Sequence, residues 1–469
     1  MKFRKILIAN RGEIAIRIAK AANALGIKTL AIYSQDDINS LHIKIADEAQ
    51  MLDGIGVPAY LNAENILGIA NSNNCDAIHP GYGFLSENAS FAEICQREGV
   101  TFIGPNVQHL ELFGNKNVAK QAAIDAGVPV IQGIDRGVTF EEALDFFDSL
   151  PENRGVMLKA VAGGGGRGSR AVLKREELER SFRRCKSEAK RSFANDDIYV
   201  EEFLPRTRHI EVQIVGDSDG EIAHLWDREC SVQRRFQKLV EIAPVPNLSE
   251  ELRTQIINSA VLLAESVGYS NIGTFEFLVP SDRSIEEKPF VFIEANARLQ
   301  VEHTVTEEVT GIDIVQTQIQ IAEGASISDL GIRNSSTQPP VGFAIQTRVN
   351  METLTSAGNV RPSNGELEVY EPPMGTGVRI DGCGYTTYTT NTSFDSLLAK
   401  LIVHSDSDQF SNVIKKSLHA LSAFRIEGIL TNISFLRNVL LHEDFYNGRI
   451  HTTWVDENMA SLADSSNNS

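Results

Sequence analysis

The stretch FIEANARLQVE (292–302) carries a polar side chain at every second position. These side chains are Glu294, Asn296, Arg298, Gln300 and Glu302, and apolar residues alternate with them. Alternation with a period of two predicts an extended strand that places all five polar groups on one face. A solvated face is the alternative, but such faces usually carry Thr, Lys and Ser rather than carboxylates, amides and a guanidinium. The order therefore favours a face that binds a ligand.

A second carboxylate stands alone in an apolar stretch, Glu276 in GTFEFLV (273–279). A buried carboxylate is costly unless it is paired with a cation or bound to a metal. Glu276, Glu294 and Asn296 together offer the hard oxygen ligands that suit Mg²⁺ carrying nucleotide phosphates. The sequence therefore predicts a site for a metal and a nucleotide.

Four consecutive glycines, Gly163 to Gly166, follow Lys159. Glycine lets backbone N–H groups approach a phosphate closely and form an anion-binding nest. No Lys-Ser or Lys-Thr pair follows the run, so it is not a Walker loop. A glycine run alone is equally typical of a surface turn. In combination with the predicted metal site, it indicates phosphoryl transfer.

A basic cluster lies in CSVQRRFQK (230–238), although the net charge of the whole chain is −18. Arg234, Arg235 and Lys238 supply its charge. A solvated basic patch is the alternative, but an anionic ligand explains the cluster better in so acidic a protein.

The bulk composition excludes several classes of protein. With 44 basic and 62 acidic residues, the surface repels nucleic acid and anionic membranes, so neither is expected as a partner. No apolar run approaches the ~18–20 residues of a membrane span, and the N-terminus lacks the layout of a secretory signal. None of the five cysteines is paired at CxxC spacing, which predicts a reduced, cytoplasmic chain without structural zinc.

The order strand, helix, strand within residues 5–33 predicts a doubly wound α/β unit. Its first turn lacks the GxGxxG fingerprint, so no dinucleotide is expected there. We expect four segments: a doubly wound domain (1–113), a central domain (114–332), a mixed antiparallel β/α domain (333–457) and a disordered tail (458–469).

These segments together resemble the biotin carboxylase family of the ATP-grasp superfamily, from residue 2 to about residue 456. The motifs that carry the resemblance are IANRGEIAIRI (8–18), HPGYGFLSEN (79–88), FIGP (102–105), KAVAGGGGRG (159–168), RHIEVQI (208–214), CSVQRRFQK (230–238), GTFEFL (273–278), EANARLQVEHTVTE (294–307) and FDSLLAKLIV (394–403). The resemblance implies a central ATP-grasp domain with a mobile glycine-rich lid (about 131–203). It also implies ATP-dependent carboxylation of biotin by bicarbonate through carboxyphosphate.

The resemblance also assigns roles to individual residues. The implied nucleotide contacts are Lys116, Lys159, Gly164, Gly165, Gly166, Glu201, Leu204, His209 and Gln233. The implied ligands of Mg²⁺ or Mn²⁺ are Glu276, Glu294 and Asn296, as the residues themselves suggest. The implied bicarbonate pocket is Lys238, Arg298, Gln300 and Val301, with Glu302 as general base, Arg348 stabilising the biotin enolate, and Tyr82 and Gly83 close to biotin.

A few positions depart from the family pattern. Phe236 replaces a usual histidine and Asn115 a common Asp, while Ala162 and Ser169 alter the lid. None is a proposed catalytic group, so we expect effects on nucleotide affinity and lid motion rather than loss of activity.

The final acceptor is less strongly indicated. METL (351–354) and EPPMGTGVRIDGCGYTTY (371–388) resemble large single-chain acyl-CoA carboxylases, which favours acetyl-CoA or acyl-CoA and a role in fatty acid biosynthesis. Pyruvate and urea carboxylases are the alternatives, as is another carboxylate-activating ATP-grasp ligase such as half of a carbamoyl phosphate synthetase. A nucleotide-binding scaffold with a dead site is a further alternative, disfavoured because every candidate residue is present.

The expected partners follow from what the sequence lacks. No Ala-Met-Lys-Met motif occurs, so biotin should arrive on a separate carrier domain or subunit. The acceptor half of the reaction requires a carboxyltransferase, and a free subunit is expected to form a homodimer.

Overall fold

The computed structural model describes residues 2–134, 136–151, 154–161, 169–193, 195–281, 289–332 and 339–464. The predicted nucleotide contacts Gly164, Gly165 and Gly166 lie outside these residues, as does most of the predicted junction at 333–340.

The strands are β1 (Lys5–Ile8), β2 (Lys28–Tyr33), β3 (Glu48–Met51), β4 (Ala77–His79), β5 (Thr101–Phe102), β6 (Gly133–Ile134), β7 (Gly155–Ala160), β8 (Ser169–Val172), β9 (Ile198–Phe203), β10 (Thr207–Gly216), β11 (Ile222–Arg234), β12 (Gln237–Ala243), β13 (Asn271–Pro280), β14 (Val291–Asn296), β15 (Phe343–Asn350), β16 (Glu352–Leu354), β17 (Val360–Pro362), β18 (Val369–Glu371), β19 (Val378–Gly382), β20 (Leu397–Ser405) and β21 (Arg425–Glu427). The α-helices are α1 (Gly12–Ala24), α2 (Leu41–Ile45), α3 (Gly56–Tyr60), α4 (Ala63–Ser72), α5 (Ala89–Arg97), α6 (Val107–Gly114), α7 (Lys116–Asp125), α8 (Phe140–Ser149), α9 (Leu178–Phe193), α10 (Glu250–Ser266), α11 (His303–Thr310), α12 (Ile314–Ala322), α13 (Phe410–Ala423), α14 (Ile433–Leu441), α15 (Glu443–Tyr446), α16 (Trp454–Glu457) and α17 (Met459–Leu462).

A parallel sheet forms the N-terminal part, with strand order β3-β2-β1-β4-β5. The predicted unit of strand, helix and strand is confirmed as β1, α1 and β2. Helix α1 buries Ile14, Ile18 and Ala22 at helical spacing, and Gly26 follows it with a φ of +75°. Its left-handed conformation is the common helix terminator.

A second sheet is antiparallel and has the order β14-β13-β10-β11-β12-β15-β20-β19. Strand β12 pairs with β15, so this sheet runs without a break from the central part of the chain into the C-terminal part. Helix α11 covers one face of it, because Val305 and Val309 pack against Ala243, Ala344 and Ile402. The antiparallel region predicted after residue 340 is confirmed.

A third sheet, of order β6-β9-β7-β8, carries its own small core with helices α8 and α9. Val156, Leu158 and Val200 from the sheet pack in this core with Phe182 and Ala189 of α9. The strands predicted on either side of the glycine run are confirmed as β7 and β8, which pair antiparallel.

The predicted polar strand 292–302 is wrong beyond its first half. Strand β14 ends at Asn296, and the backbone N–H of Arg298 donates to the Asn296 carbonyl at 2.9 Å. The chain leaves the sheet there because α11, which starts at His303, must cross onto the sheet face that it covers. The alternating polar residues therefore line a strand end and a turn rather than one strand face.

The predicted disordered tail also needs correction at its start. Met459 and Leu462 of α17 are buried, and Asn438 Nδ2 donates to the carbonyls of Leu462 at 3.0 Å and Asp464 at 2.8 Å. Residues 458–464 are therefore packed, while 465–469 lie outside the described residues. Among the helices that the structure describes, none is both long and apolar enough to cross a lipid bilayer.

Gly273 on β13 lies against the ring of buried Tyr269, and this contact gives a test of the packing. A Cβ added at Gly273 would lie 2.1 Å from the Tyr269 hydroxyl oxygen. Such overpacking typically costs about 1–3 kcal/mol, so Gly273→Ala should lower the free energy of unfolding by that amount in denaturant titrations. The control is Gly68→Ala, because Gly68 is exposed in α4 with nothing within 4 Å of an added Cβ. That change should be neutral or stabilising, by about 0.4–1 kcal/mol. Equal midpoints for Gly273→Ala and the unmodified chain would contradict the packing.

Candidate active site

Three carboxylates lie side by side on neighbouring strands of the antiparallel sheet. Glu276 on β13 is directly opposite Glu211 on β10 and Glu294 on β14. Glu211 and Glu276 are buried, whereas the Glu294 side chain is 40% exposed. Like charges directly opposite each other destabilise a sheet, so this row requires cations.

Lys238, on β12, supplies the first cation. Its Nζ lies 2.7 Å from Glu211 Oε2, 3.1 Å from Glu276 Oε1 and 2.7 Å from Glu302 Oε1. Burial alone lowers the pKa of Lys238, but the surrounding carboxylates outweigh burial and raise this pKa well above its ordinary value. The ammonium therefore stays charged and joins three acidic residues from three segments of the chain.

Arg228 supplies the second cation and is completely buried. Its Nε donates to Glu211, and its Nη groups donate to Gln213, Thr274 and Thr306, each at 3.0 Å. Each of the three guanidinium nitrogens therefore donates to at least one acceptor, and such hydrogen bonds offset part of the cost of burying the charge.

Glu302, at the N-terminus of α11, is held between two cations. Its second oxygen, Oε2, accepts a hydrogen bond from Arg348 Nη2 at 3.1 Å, while Oε1 contacts Lys238. Burial raises the pKa of Glu302, but Lys238, Arg348 and Arg228 outweigh it and hold this pKa at about 2. Glu302 is therefore ionised at neutral pH.

Glu276 is fixed by three further side chains as well as by Lys238. His209 Nε2 lies 2.6 Å from Oε2, and the side-chain amides of Asn296 and Gln300 donate to Oε1 at 2.9 Å and 3.1 Å. Burial raises the pKa of Glu276, but Lys238 and His209 lower it further than burial raises it. The other nitrogen of His209 lies 2.7 Å from Gln233 Nε2, which makes Nδ1 the acceptor and Nε2–H the donor.

A cavity of about 260 Å³ opens next to this cluster, between the antiparallel sheet and the smaller sheet of β6–β9. Its walls include every predicted nucleotide contact within the described residues, namely Lys116, Lys159, Glu201, Leu204, His209 and Gln233, together with Glu276 and Glu294. Apolar side chains of Ile131, Met157 and Leu278 form part of the lining. An apolar slot with a few charged groups on its rim is a typical small-molecule site.

The predicted bicarbonate residues lie on the inner side of the same cluster. Arg298 donates to Asn296 Oδ1 and Gln300 Oε1, both at 2.9 Å, and its Nε lies 3.1 Å from Glu87. This last contact joins the site to the loop after β4. Gln300 also donates to Glu276, which contacts Lys238 as Glu302 does. Arg298, Gln300 and Glu302 therefore belong to one network of polar contacts although they do not share a strand.

The predicted residues near biotin are connected to the site indirectly. The Tyr82 hydroxyl donates to Glu13, and Glu13 lies 3.1 Å from the buried Lys400. Lys400 in turn donates to the Val301 carbonyl at 3.0 Å. Gly83, next to Tyr82, has a φ of +67°, which favours glycine there.

The donor set fits a hard divalent cation at the cavity wall. Glu276 and Glu294 are opposite each other in register, and Asn296, two residues after Glu294 on β14, has its side-chain amide 2.9 Å from Glu276. These are oxygen donors of the type that Mg²⁺ prefers. Two further groups, His209–Glu211–Glu276 and Glu211–Cys230–Glu302, are also close enough to hold an ion. Every carboxylate of these two groups contacts Lys238, whereas Glu294 of the predicted magnesium site instead lies 3.6 Å from the half-exposed Lys116.

Sequence reasoning missed several buried charges around the site. Glu211, Glu241 and Lys400 are fully buried, and each has an apolar residue directly before and after it in the sequence. The same pattern identified Glu276, and it was available for all three. Arg228 is harder to find because it lies in a charged stretch, WDREC (226–230).

Removing the central cation gives a test of this charge arrangement. Lys238→Met leaves three buried carboxylates without the cation that they share. Removing one partner of a buried ion pair costs about 3–5 kcal/mol of stability. Without the ammonium, burial raises the pKa values of Glu276 and Glu302 above their unfolded values, so the folded state takes up protons as the pH falls. The loss in unfolding free energy should be large at pH 7.5 and smaller at pH 5.5.

Lys116→Met is the matched control, because Lys116 is half exposed and lies 3.6 Å from Glu294. An exposed pair contributes at most about 1 kcal/mol, so this change should have little effect at either pH. Equal, pH-independent losses in the two variants would contradict the proposed role of Lys238 in stability.

Comparisons with known families cover nearly the whole chain. Residues 2–110 match the biotin carboxylase N-terminal domain, 115–330 the ATP-binding domain of the carbamoyl-phosphate synthase L chain, and 346–457 the biotin carboxylase C-terminal domain.

Curated relatives and solved structures agree. The chain is 46% identical over 459 residues to mitochondrial pyruvate carboxylase of Homo sapiens and 46% identical over 458 residues to pyruvate carboxylase of Bacillus subtilis. These matches cover 97% and 96% of this chain but only 38% and 39% of the relatives. The human relative is mitochondrial, so the cytoplasmic location stays a prediction.

Two solved structures match over almost their full length. The biotin carboxylase domain of Hydrogenobacter thermophilus 2-oxoglutarate carboxylase is 39% identical with a TM-score of 0.91, covering 98% of this chain and 99% of that one. It is a dimer in complex with MgADP, ADP and bicarbonate. Biotin carboxylase of Campylobacter jejuni is 38% identical with a TM-score of 0.90, covering 97% and 99%. The chain therefore belongs to the biotin carboxylase family of ATP-grasp ligases.

Proposed function

We propose that this chain uses ATP to carboxylate biotin with bicarbonate, through carboxyphosphate. The observation that carries the proposal is the contact of Glu302 with both Lys238 and Arg348, beside the cavity lined by the nucleotide residues. A base between two cations is suited to deprotonate an anion and to hold the product. The bicarbonate and MgADP in the Hydrogenobacter relative support the same assignment.

The nucleotide would lie in the cavity, with its base in the apolar slot and its phosphates toward Lys116, Lys159 and His209. Lys159 Nζ lies 2.5 Å from Glu201 Oε2, so the ammonium is already oriented into the site. Glu276, Glu294 and Asn296 would hold Mg²⁺ or Mn²⁺, whose charge offsets that of the phosphates when the ion is bound.

Bicarbonate would bind between Glu302 and its cations, with Arg298 and Gln300 on its other side. As an anion it competes for Lys238 and Arg348, and each contact that moves from Glu302 to bicarbonate makes the carboxylate more basic. Glu302 then takes the bicarbonate proton while a bicarbonate oxygen attacks the γ-phosphorus. The bond from the γ-phosphorus to ADP breaks, and carboxyphosphate forms.

Transfer to biotin uses the other cation. Carboxyphosphate breaks into CO₂ and phosphate, and the phosphate removes the proton from the ureido nitrogen of biotin. The resulting enolate is stabilised by Arg348, and its nitrogen attacks CO₂. An arginine suits this role because its guanidinium does not lose its proton, whereas a lysine ammonium can.

For the final acceptor, the relatives favour pyruvate, which was the alternative expectation, over acyl-CoA. Mitochondrial and bacterial pyruvate carboxylases are among the relatives, and a solved neighbour is a 2-oxoglutarate carboxylase domain. We therefore propose a 2-oxo acid acceptor, with pyruvate first. A role in fatty acid biosynthesis finds no support in these relatives.

The chain spans 38–39% of the length of these pyruvate carboxylases, so the biotin carrier, the carboxyltransferase and the dimer belong to this proposal.

Two variants separate the half-reactions. Arg348→Ser should lose carboxybiotin formation by about 10²–10³-fold, as for removal of a charge-stabilising donor, while bicarbonate-dependent phosphate release without biotin falls much less. Glu302→Gln should lose both, because it removes the base. Bicarbonate-dependent phosphate release is measured without biotin, and labelled carboxybiotin is measured in parallel with free biotin. If both products fall together in Arg348→Ser, the enolate role is wrong.

The acceptor is tested on the native protein, purified from its source cells together with its attached domains and subunits. When pyruvate is supplied, labelled bicarbonate should enter oxaloacetate, which is reduced to malate before acid removes the unreacted bicarbonate. Labelled malonyl-CoA from acetyl-CoA, with no label fixed into pyruvate, would overturn the choice of acceptor but leave biotin carboxylation intact.

A further inference from the structure

The guanidinium of Arg348 is shared between two carboxylates. Its Nε donates to Glu241 Oε1 at 2.5 Å, and its Nη2 lies 2.5 Å from the same oxygen and 3.1 Å from Glu302 Oε2. Among the described residues, none accepts a hydrogen bond from Nη1, and the side chain is 18% exposed. One edge of the guanidinium is therefore fixed by Glu241, and the opposite nitrogen is left for solvent or a ligand.

Glu241 is held in place independently of Arg348. Its Oε2 accepts from Gln346 Nε2 at 2.8 Å, and Gln346 Oε1 accepts from the Thr304 hydroxyl at 2.5 Å. All three side chains are fully buried. Glu241 and Gln346 are opposite each other in the register of β12 and β15, and α11 carries Thr304. Two strands and a helix thus fix the orientation of the Glu241 carboxylate.

The register also explains why Glu241 reaches Arg348. Gln346 and Arg348 are two residues apart on β15, so both side chains lie on the sheet face that α11 covers. Glu302, just before α11, approaches Arg348 from that helix. Glu241 is therefore part of the sheet, and Glu302 is part of the covering layer.

We propose that Glu241 is the positioning residue for Arg348. Its hydrogen bond with Nε holds the guanidinium in the site when Nη2 leaves Glu302 to bind a ligand. This inference rests on the proposed function, in which Glu302 and Arg348 serve different half-reactions. Without the Glu241 charge, Glu302 is the one remaining carboxylate within reach of Arg348 among the described residues. A two-bond pair between them would occupy the base and the enolate-stabilising group together.

The test is Glu241→Gln in the whole chain, assayed with ATP, Mg²⁺, bicarbonate and free biotin. Glutamine has nearly the same shape as glutamate. The Gln346 side-chain amide can rotate to exchange its oxygen and nitrogen, because the Thr304 hydroxyl can accept a hydrogen bond as well as donate one. We expect kcat for carboxybiotin formation to fall about 10- to 100-fold, as for a misplaced catalytic group. The number of carboxybiotin molecules formed per phosphate released should fall with it. Adding Glu241→Gln to Arg348→Ser should cause no further loss, because Glu241 acts through Arg348.

Several results would overturn the proposal. An unchanged carboxybiotin-to-phosphate ratio in Glu241→Gln would do so while leaving the proposed function standing, and so would losses that multiply in the double variant. If Arg348→Ser loses both half-reactions equally, the proposed function of Arg348 fails, and the role of Glu241 fails with it. If Glu241→Gln does not fold, Glu241→Asp is used instead. It keeps the negative charge but places the carboxylate one methylene farther from Arg348. A folded Glu241→Asp protein should show a partial loss of the ratio, and a wild-type ratio would refute the positioning role.

Discussion

The buried ammonium of Lys238 is the interaction on which the fold and the site both depend. It contacts carboxylates from β10, from β13 and from the turn before α11. Without it, Glu211, Glu276 and Glu302 would repel one another in a region that excludes water. Buried ion pairs rarely add stability over an apolar core of the same shape. The proposed function explains their presence here, because it needs an ionised base and a cation at the same place.

A second feature is the division of labour between the sheet and the helix that covers it. The strands supply Glu241, Glu276, Lys238 and Arg348, and the turn before α11 supplies Glu302. Because α11 packs through Val305 and Val309 on small or branched residues of three strands, Glu302 is brought down onto the polar part of the same face. Packing of apolar residues thus sets the distance between Glu302 and the two cations that contact it.

Much of this could be predicted from local patterns. The apolar runs around β1, α1 and β2 were sufficient to predict the first unit of strand, helix and strand. The lone carboxylate Glu276 correctly indicated a buried site. The prediction failed where polar alternation continued past the end of β14, because alternation shows only that every second residue is polar. It does not distinguish a strand face from a turn that meets the same site.

Other features were beyond the sequence for a physical reason. Continuity of the antiparallel sheet from β12 to β15 depends on pairing between residues about 100 positions apart, which leaves no local signal. The same holds for Glu241 and Arg348, whose partnership is set by sheet register. A single charge in an apolar strand marks a buried polar contact, but it does not name the partner.

The proposed function requires that bicarbonate attacks the γ-phosphate of ATP in this site. The most direct measurement follows ¹⁸O from labelled bicarbonate into inorganic phosphate during brief turnover in unlabelled water. We expect one ¹⁸O atom in each phosphate released, because the oxygen that attacks phosphorus stays with it when carboxyphosphate breaks. Phosphate that carries no ¹⁸O, released at the same rate, would mean that water attacks ATP, and it would contradict the proposed chemistry.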